Sequence, residues 1–402
     1  MGTPIRTLPA LAGIAFEIAH GFALAGNFGS DLNLTLTPAT GGMAGAGYVR
    51  PQDPVAAVFG NPATLTQLEG RTAFTFGASF LDVSAHADHD GSITGTPFNA
   101  DSDATNYLLP NIAVQQRISD VLVLGGGLQV ISGLGADFRN ATPLGPQVEL
   151  VVFGANAAAG YRLTPRLSVG ASATLAFGLL ELGLVRNTGL THAFGVRAGI
   201  GATYDLGPAT LGLAYNSPLD LKFDTVTETA PGVFSDFRLQ QPQEVIVGIA
   251  SSPKLWRDVV IEADVIYKNW SSAQAYKDLW RDQVILALGS QYTSGRWKAR
   301  LGYSYSSDLQ KPDVGSSIGS VRSLAVGSAT VPLSPPLVQF VQATLTQPYW
   351  RQQVSAGVGF ALSNGIQLDA QVGYAFDGKR AIGGTQIDVN EFQAGIGITW
   401  KF

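Results

Sequence analysis

The chain has 402 residues, of which 46% are apolar and only 14% charged, with a formal net charge of −5. The absence of cysteine excludes a disulfide framework and any thiolate metal site. Four histidines leave little room for metal or acid–base chemistry, and 25 basic against 30 acidic residues make no nucleic-acid footprint. A soluble domain carries about a quarter charged residues, so this surface is short of charge. Past residue 25 there is no uninterrupted apolar run of about 18 residues, the length a spanning helix needs. Low charge and 48 glycines without such a run point to a membrane β-barrel.

Residues 1–25 read as a secretory signal peptide. Arg6 supplies the basic start, Leu8 to Phe16 the apolar stretch, and Ala23-Leu24-Ala25 an A-x-A cleavage site. Glu17 and His20 interrupt the apolar region, and a buried N-terminal helix is the other reading. Residues 26–70 follow a different pattern, with small residues from Thr40 to Gly47, then Pro51, Asp53 and Pro54, then Val55 to Phe59. This is too irregular for a barrel strand and too apolar for a solvated tail.

From residue 71 onward the sequence alternates. Fourteen segments are predicted as strands, near 71–86, 105–118, 121–135, 148–162, 166–184, 192–205, 209–224, 241–253, 258–270, 282–294, 297–308, 351–362, 366–378 and 389–402. The last shows the pattern plainly: Phe392, Ala394, Ile396, Ile398, Trp400 and Phe402 alternate with Gln393, Gly395, Gly397, Thr399 and Lys401. Successive side chains of a strand face opposite ways, so each segment has one apolar face. A soluble sandwich alternates too, but its strands run to about 5–6 residues, whereas a tilted membrane strand needs about 9–11. Connections alternate between short, as at Ser119-Asp120, and long, as at 87–104, 136–147, 225–240, 271–281 and 309–350. Short periplasmic turns opposite long extracellular loops, with an even strand number, are the outer-membrane pattern. Trp256, Trp297 and Trp400 fall at short-turn ends and Trp270, Trp280 and Trp350 at long-loop ends, as two aromatic belts would place them. A fourteen-stranded barrel has a lumen too wide for its own side chains to close, and residues 26–70 are the available plug.

Particular residues here resemble a known family. Thr40-Gly-Gly-Met-Ala-Gly-Ala-Gly47 and Asp53-Pro-Val-Ala-Ala-Val-Phe-Gly-Asn-Pro-Ala63 are similar to the N-terminal hatch of FadL/TodX-type outer-membrane transporters. Gly133-Leu-Gly135, Leu213-Ala-Tyr-Asn-Ser-Pro218, Ala263-Asp-Val265 with Trp270-Ser271, and Arg300-Leu-Gly-Tyr-Ser-Tyr305 extend the match in order along the chain. The resemblance implies an all-β, fourteen-stranded barrel (71–402) around a hatch (26–70). It implies passive uptake of long-chain fatty acids or hydrocarbons, captured outside and released through a lateral opening near the third strand. It places the hatch motif Asn61, Pro62 and Ala63 near that opening, and Gly125, Gly126 and Gly127 at a kink in the strand. A run of small lumen-facing residues giving the plug room is the other reading of these glycines.

Arg186 stands where the family has a basic residue for a fatty-acid carboxylate, and a guanidinium suits that group. Lys277 and Arg238 are similar candidates on neighbouring loops. Phe138, Phe234, Phe237, Tyr276 and Trp280 are loop or strand-end aromatics suited to an apolar site. The loop at 185–190 is short for the family, so the 309–350 loop with its apolar stretch Leu337 to Leu345 is the candidate cover. His86, Asp88, His89 and Asp90 cluster in the first long loop; a solvated loop explains them as well as a metal does. The expectation is a non-enzymatic monomer with no cofactor and no metal. Its partners are a hydrophobic small molecule, outer-membrane lipid and lipopolysaccharide. A general diffusion porin or a structural outer-membrane barrel is the alternative.

Overall fold

The computed structural model describes residues 30–31, 34–184, 186–187, 189–251, 257–346, 352–363 and 365–402. The expected signal peptide, Trp256 and Trp350 lie outside these. Fourteen long strands form the barrel. In chain order they are β1 (Thr72–His89), β2 (Tyr107–Arg117), β3 (Leu122–Asp137), β4 (Gln147–Arg162), β5 (Leu167–Leu184), β6 (Thr191–Asp205), β7 (Ala209–Asn216), β8 (Glu244–Ser251), β9 (Val259–Lys268), β10 (Gln283–Ser294), β11 (Trp297–Ser306), β12 (Gln352–Ser363), β13 (Ile366–Ile382) and β14 (Thr385–Lys401). Each pairs antiparallel with the next, and β14 closes on β1 from Ala73↔Lys401 to His89↔Thr385. Every strand turns exposed large apolar residues outward: Phe74 and Phe76 on β1, Val245, Val247 and Ile249 on β8, and Ile396 and Ile398 on β14. On β1 the outward row changes from Phe80 to Asp82, Ser84 and His86, which marks the upper edge of the lipid band.

The predicted strands agree with this barrel except where the chain rises above the lipid. The segment expected at 209–224 leaves the barrel after Asn216, and Leu219–Ala230 pairs with Val233–Gln241 in a separate hairpin. Its apolar residues Leu219, Leu221 and Phe223 are buried inward and Asp220, Lys222 and Asp224 look out. That reverses the barrel pattern, and such a face belongs in water. The gap expected between 378 and 389 is instead paired strand, turned by Gly383 and Gly384 at φ 52° and 76°. Two positive φ values are what a two-residue hairpin turn requires. The belts hold at Trp297 and Trp400, which are exposed. They do not hold at Trp270 and Trp280, which are fully buried with Tyr276 in one aromatic stack.

Residues 34–68 lie against the inward faces of strands all round the ring. Helix α1 (Pro54–Phe59) is capped by Asp53, whose Oδ1 accepts from Ala56 N at 2.9 Å. The segment is tied to the wall by hydrogen bonds on many sides. Ser79 on β1 and Asn111 on β2 donate to Leu36 O, Asn156 on β4 to Val58 O, and Gln393 on β14 to Thr35 O. Ser355 on β12 accepts from Ala44 N. On β9, two buried carboxylates accept from consecutive amides: Asp264 from Gly47 and Tyr48, Glu262 from Val49 and Arg50. Glycines admit this close approach. A Cβ on Gly125 would lie 2.8 Å from Val58 Cγ2, one on Gly289 2.7 Å from Met43 Cβ, and one on Gly302 would overlap the backbone of Met43 and Ala44.

At Gly302 neither backbone can give way, whereas a Cβ on Gly126 meets only Asn156 O at 3.5 Å. Gly302→Ala is therefore expected to destabilise the docked segment by about 1–3 kcal/mol through overpacking. Gly126→Ala should leave it unchanged. Hydrogen exchange at Met43–Ala46 measures the difference, and equal rates in the two variants would contradict the packing account.

Candidate ligand-binding site

Above the docked segment, the long-loop half of the barrel closes over an apolar core. The cover is built from the 219–241 hairpin, the aromatic stack and α2 (Pro335–Leu345), which buries Val338, Phe340, Val341 and Leu345. The expected cover from the 309–350 loop is thus a helix seated in the mouth. Within the core is a cavity of about 100 Å³, lined by Leu134, Leu150, Leu182, Phe237, Leu239 and Val341 among other aliphatic residues. Its polar lining comes from Thr227, Thr346 and Glu228, whose carboxylate accepts from Gly232 N at 2.8 Å. Beneath it lies a polar layer. Glu244 meets Lys268 Nζ at 3.1 Å and Arg197 at 3.6 Å, and Arg197 donates to Ser217 O and Pro242 O.

The aromatic and basic candidates separate at this cavity. Phe237 and Tyr276 line it, and Trp280 stacks behind Tyr276 at 4.4 Å between ring centres. Phe138 is buried beside Phe98, outside the lining, and Phe234 is exposed near the hairpin tip. Arg238 faces out and pairs with Asp220 at 3.0 Å. Lys277 is half-buried in the helical turn Tyr276–Leu279, off the lining. Arg186 pairs through its backbone with Leu184, and its side chain lies outside the described residues.

The glycine motif requires correction. Gly125, Gly126 and Gly127 are paired on both edges, with Gln115, Val114 and Ala113 of β2 and with Ala158, Ala157 and Asn156 of β4. Gly125 and Gly127 make room for Val58, Phe59 and Leu65, and none of the three opens the wall. Pairing between β2 and β3 ends two residues later, at Asn111↔Gln129. The next opposed residue on β2 is Pro110, which has no N–H to donate and occurs in sheets where an edge is free. On β3 the chain then bulges between Val130 and Ser132, and Ser132 and Gly133 pair with Asp31 and Ser30. The signal in the sequence was the proline, not the three glycines. Asn61, Pro62 and Ala63 are also displaced from the expected place. Asn61 donates to Tyr48 O at 2.9 Å and caps the following turn, and the motif packs on Gly170 of β5 and Gly201 of β6.

The family described as outer membrane protein transport protein (OMPP1/FadL/TodX) matches residues 18–192. Residues 18–192 are similar to that family, and the closed fourteen-stranded barrel is that of an outer-membrane protein. The fold is that of the toluene transporter TodX of Pseudomonas putida, at 16% identity and TM-score 0.68, over 92% of this chain and 99% of that one. The toluene transporter TbuX of Ralstonia pickettii is similar at 18% identity and TM-score 0.66, over 92% and 99%. A FadL homologue of Pseudomonas aeruginosa gives 14% and 0.67, over 94% and 100%. No curated protein matches the sequence. The barrel is integral to the outer membrane, and short turns of this kind face the periplasm.

One loop histidine reaches the mouth helix. His89, above the lipid band, is buried against Phe98 and Phe340 of α2, with Nδ1 2.9 Å from Thr385 Oγ1 and Nε2 accepting from Ile93 N. Burial pushes its pKa below the usual histidine value, while Asp90 and Asp88 oppose that shift. The neutral form is thus favoured by folding. Its contribution is present above the unfolded pKa of about 6.5 and is lost as pH falls toward the folded value. Protection factors at Ile93 and along 335–345, taken against the intrinsic exchange rate at each pH, are expected to fall on acidification from pH 7.5 to 5. His89→Gln should remove that dependence, and a pH-independent wild type would contradict it.

Proposed function

We propose that this barrel is a passive uptake channel for uncharged hydrophobic molecules, captured in the apolar cavity and released sideways between β2 and β3. The observation that carries the reading is Leu134. It lines the cavity, and it lies on the stretch of β3 that β2 no longer pairs. An apolar ligand there has a short apolar path to the wall. The axial path crosses the Arg197–Glu244–Lys268 layer and then the docked segment 34–68, and an apolar molecule gains nothing from displacing those paired charges.

The cavity's chemistry supports an uncharged ligand. Glu228 repels a second carboxylate, and Arg238 is engaged outside with Asp220. Its size limits the ligand to a small one, since its volume of about 100 Å³ is below the roughly 150 Å³ of an apolar cavity that binds benzene. The segment 34–68 acts in this reading as a plug that prevents an aqueous leak, which separates the protein from a general porin. Deleting residues 26–69 is expected to raise ion conductance in planar bilayers, and an unchanged conductance would contradict the plug.

Pro110 provides the direct test of the exit. Pro110→Val supplies the missing N–H and a β-branched side chain that favours the pleated surface. Pairing should then extend past Asn111, with uptake of a monoaromatic hydrocarbon reduced severalfold and its equilibrium binding to purified protein retained. A Pro110→Val protein with wild-type uptake would rule out passage between these strands.

A further inference from the structure

The periplasmic mouth holds a second, polar cavity of about 530 Å³, between the docked segment and the wall formed by β4 to β7. Three arginines line it from different directions: Arg50 on the segment, Arg162 at the end of β4, and Arg166 beyond the turn. Arg162 is held in place by donating from Nη2 to Thr66 O at 3.0 Å. Arg50 Nε is buried, and no described residue accepts from it. Gln67 Oε1 is likewise buried without a donor. Asp205 is the one carboxylate in the lining, so three guanidinium charges against one leave a net +2. Serine and threonine hydroxyls of β5, β6 and β7 complete the wall.

We propose that this cavity is a binding site for a hydroxylated phosphate monoester presented from the periplasm. A guanidinium matches phosphate oxygens by bidentate bonding, and a tetrahedral group accepts from several directions as a planar carboxylate does not. A phosphate monoester carries about −1.5 to −2 at pH 7, which balances the local charge. Arg162 and Arg166 present guanidinium donors to the anion, and the hydroxyls of Ser168, Thr203 and Thr210 bond the ligand's own hydroxyls. Since Arg50 and Gln67 belong to the segment and Arg162 and Arg166 to the barrel, the bound anion clamps one to the other.

Full-length protein in detergent is titrated with glycerol 3-phosphate, inorganic phosphate and acetate at fixed ionic strength, by calorimetry and by ³¹P NMR. The site predicts saturable one-to-one binding in the order glycerol 3-phosphate, phosphate, acetate. It predicts at least tenfold weaker binding in Arg166→Gln, whose exposed side chain is not needed for folding, and slower exchange at Arg50 when glycerol 3-phosphate is bound. Equal binding of acetate, or unaltered binding in both Arg166→Gln and Arg50→Gln, would overturn it. So would protection of Arg50 only in nanodiscs containing phosphatidic acid and not with glycerol 3-phosphate, since the source would then be lipid.

Discussion

In lipid there is no water to satisfy a free backbone N–H or C=O, so every strand edge must find a partner. The unbroken pairing of β14 with β1 meets that demand, and much of the architecture follows from it. Closing fourteen strands sets a lumen that wall side chains do not fill. The chain fills it with its own residues 34–68, and glycines at 125, 289 and 302 face the places where that segment comes closest. The exception to full pairing is equally informative. It begins at a proline, residue 110, where the donor is missing covalently and no rearrangement can restore it.

The inner segment is held as much by hydrogen bonds as by shape. Glu262 and Asp264 lie two residues apart on β9, so both face inward, and together they accept from four consecutive amides, Gly47 to Arg50. This pins the middle of the segment near the β8–β10 side, away from the point where β2–β3 pairing ends. Above it, the paired Arg197, Glu244 and Lys268 lie between the segment and the apolar core of the long-loop half. Separation of that kind is what sideways release of an apolar molecule requires.

The barrel was legible in the sequence because lipid imposes a strict outward row, and Phe392 to Trp400 shows it without knowledge of any contact. Above the lipid band that constraint lapses and the sequence misleads. The hairpin at 219–241 alternates as regularly as a barrel strand, yet its apolar face turns inward, and periodicity alone carries no sign for in or out. Trp270 and Trp280 sit at strand ends as belt residues would, but they are core, because the long loops fold back over the mouth. Gly125–Gly127 signalled a real packing demand, which came from Val58, Phe59 and Leu65. Pro110, an ordinary residue in a long alternating run, held the more useful information. The carboxylates at 262 and 264 were legible in principle as an acidic pair on an inward face, but the four amides that need them are more than 200 residues distant in the chain.

The central claim, that an uncharged apolar ligand is held beside the stretch of β3 that β2 does not pair, is tested most directly by a crystal structure of the protein soaked with bromobenzene. The account predicts anomalous bromine signal in the cavity beside Leu134 and Phe237, with any second site in the opening between Pro110 and Val130. Bromine found instead along the axis, between Arg197 and the segment 34–68, with the cavity empty, would contradict it.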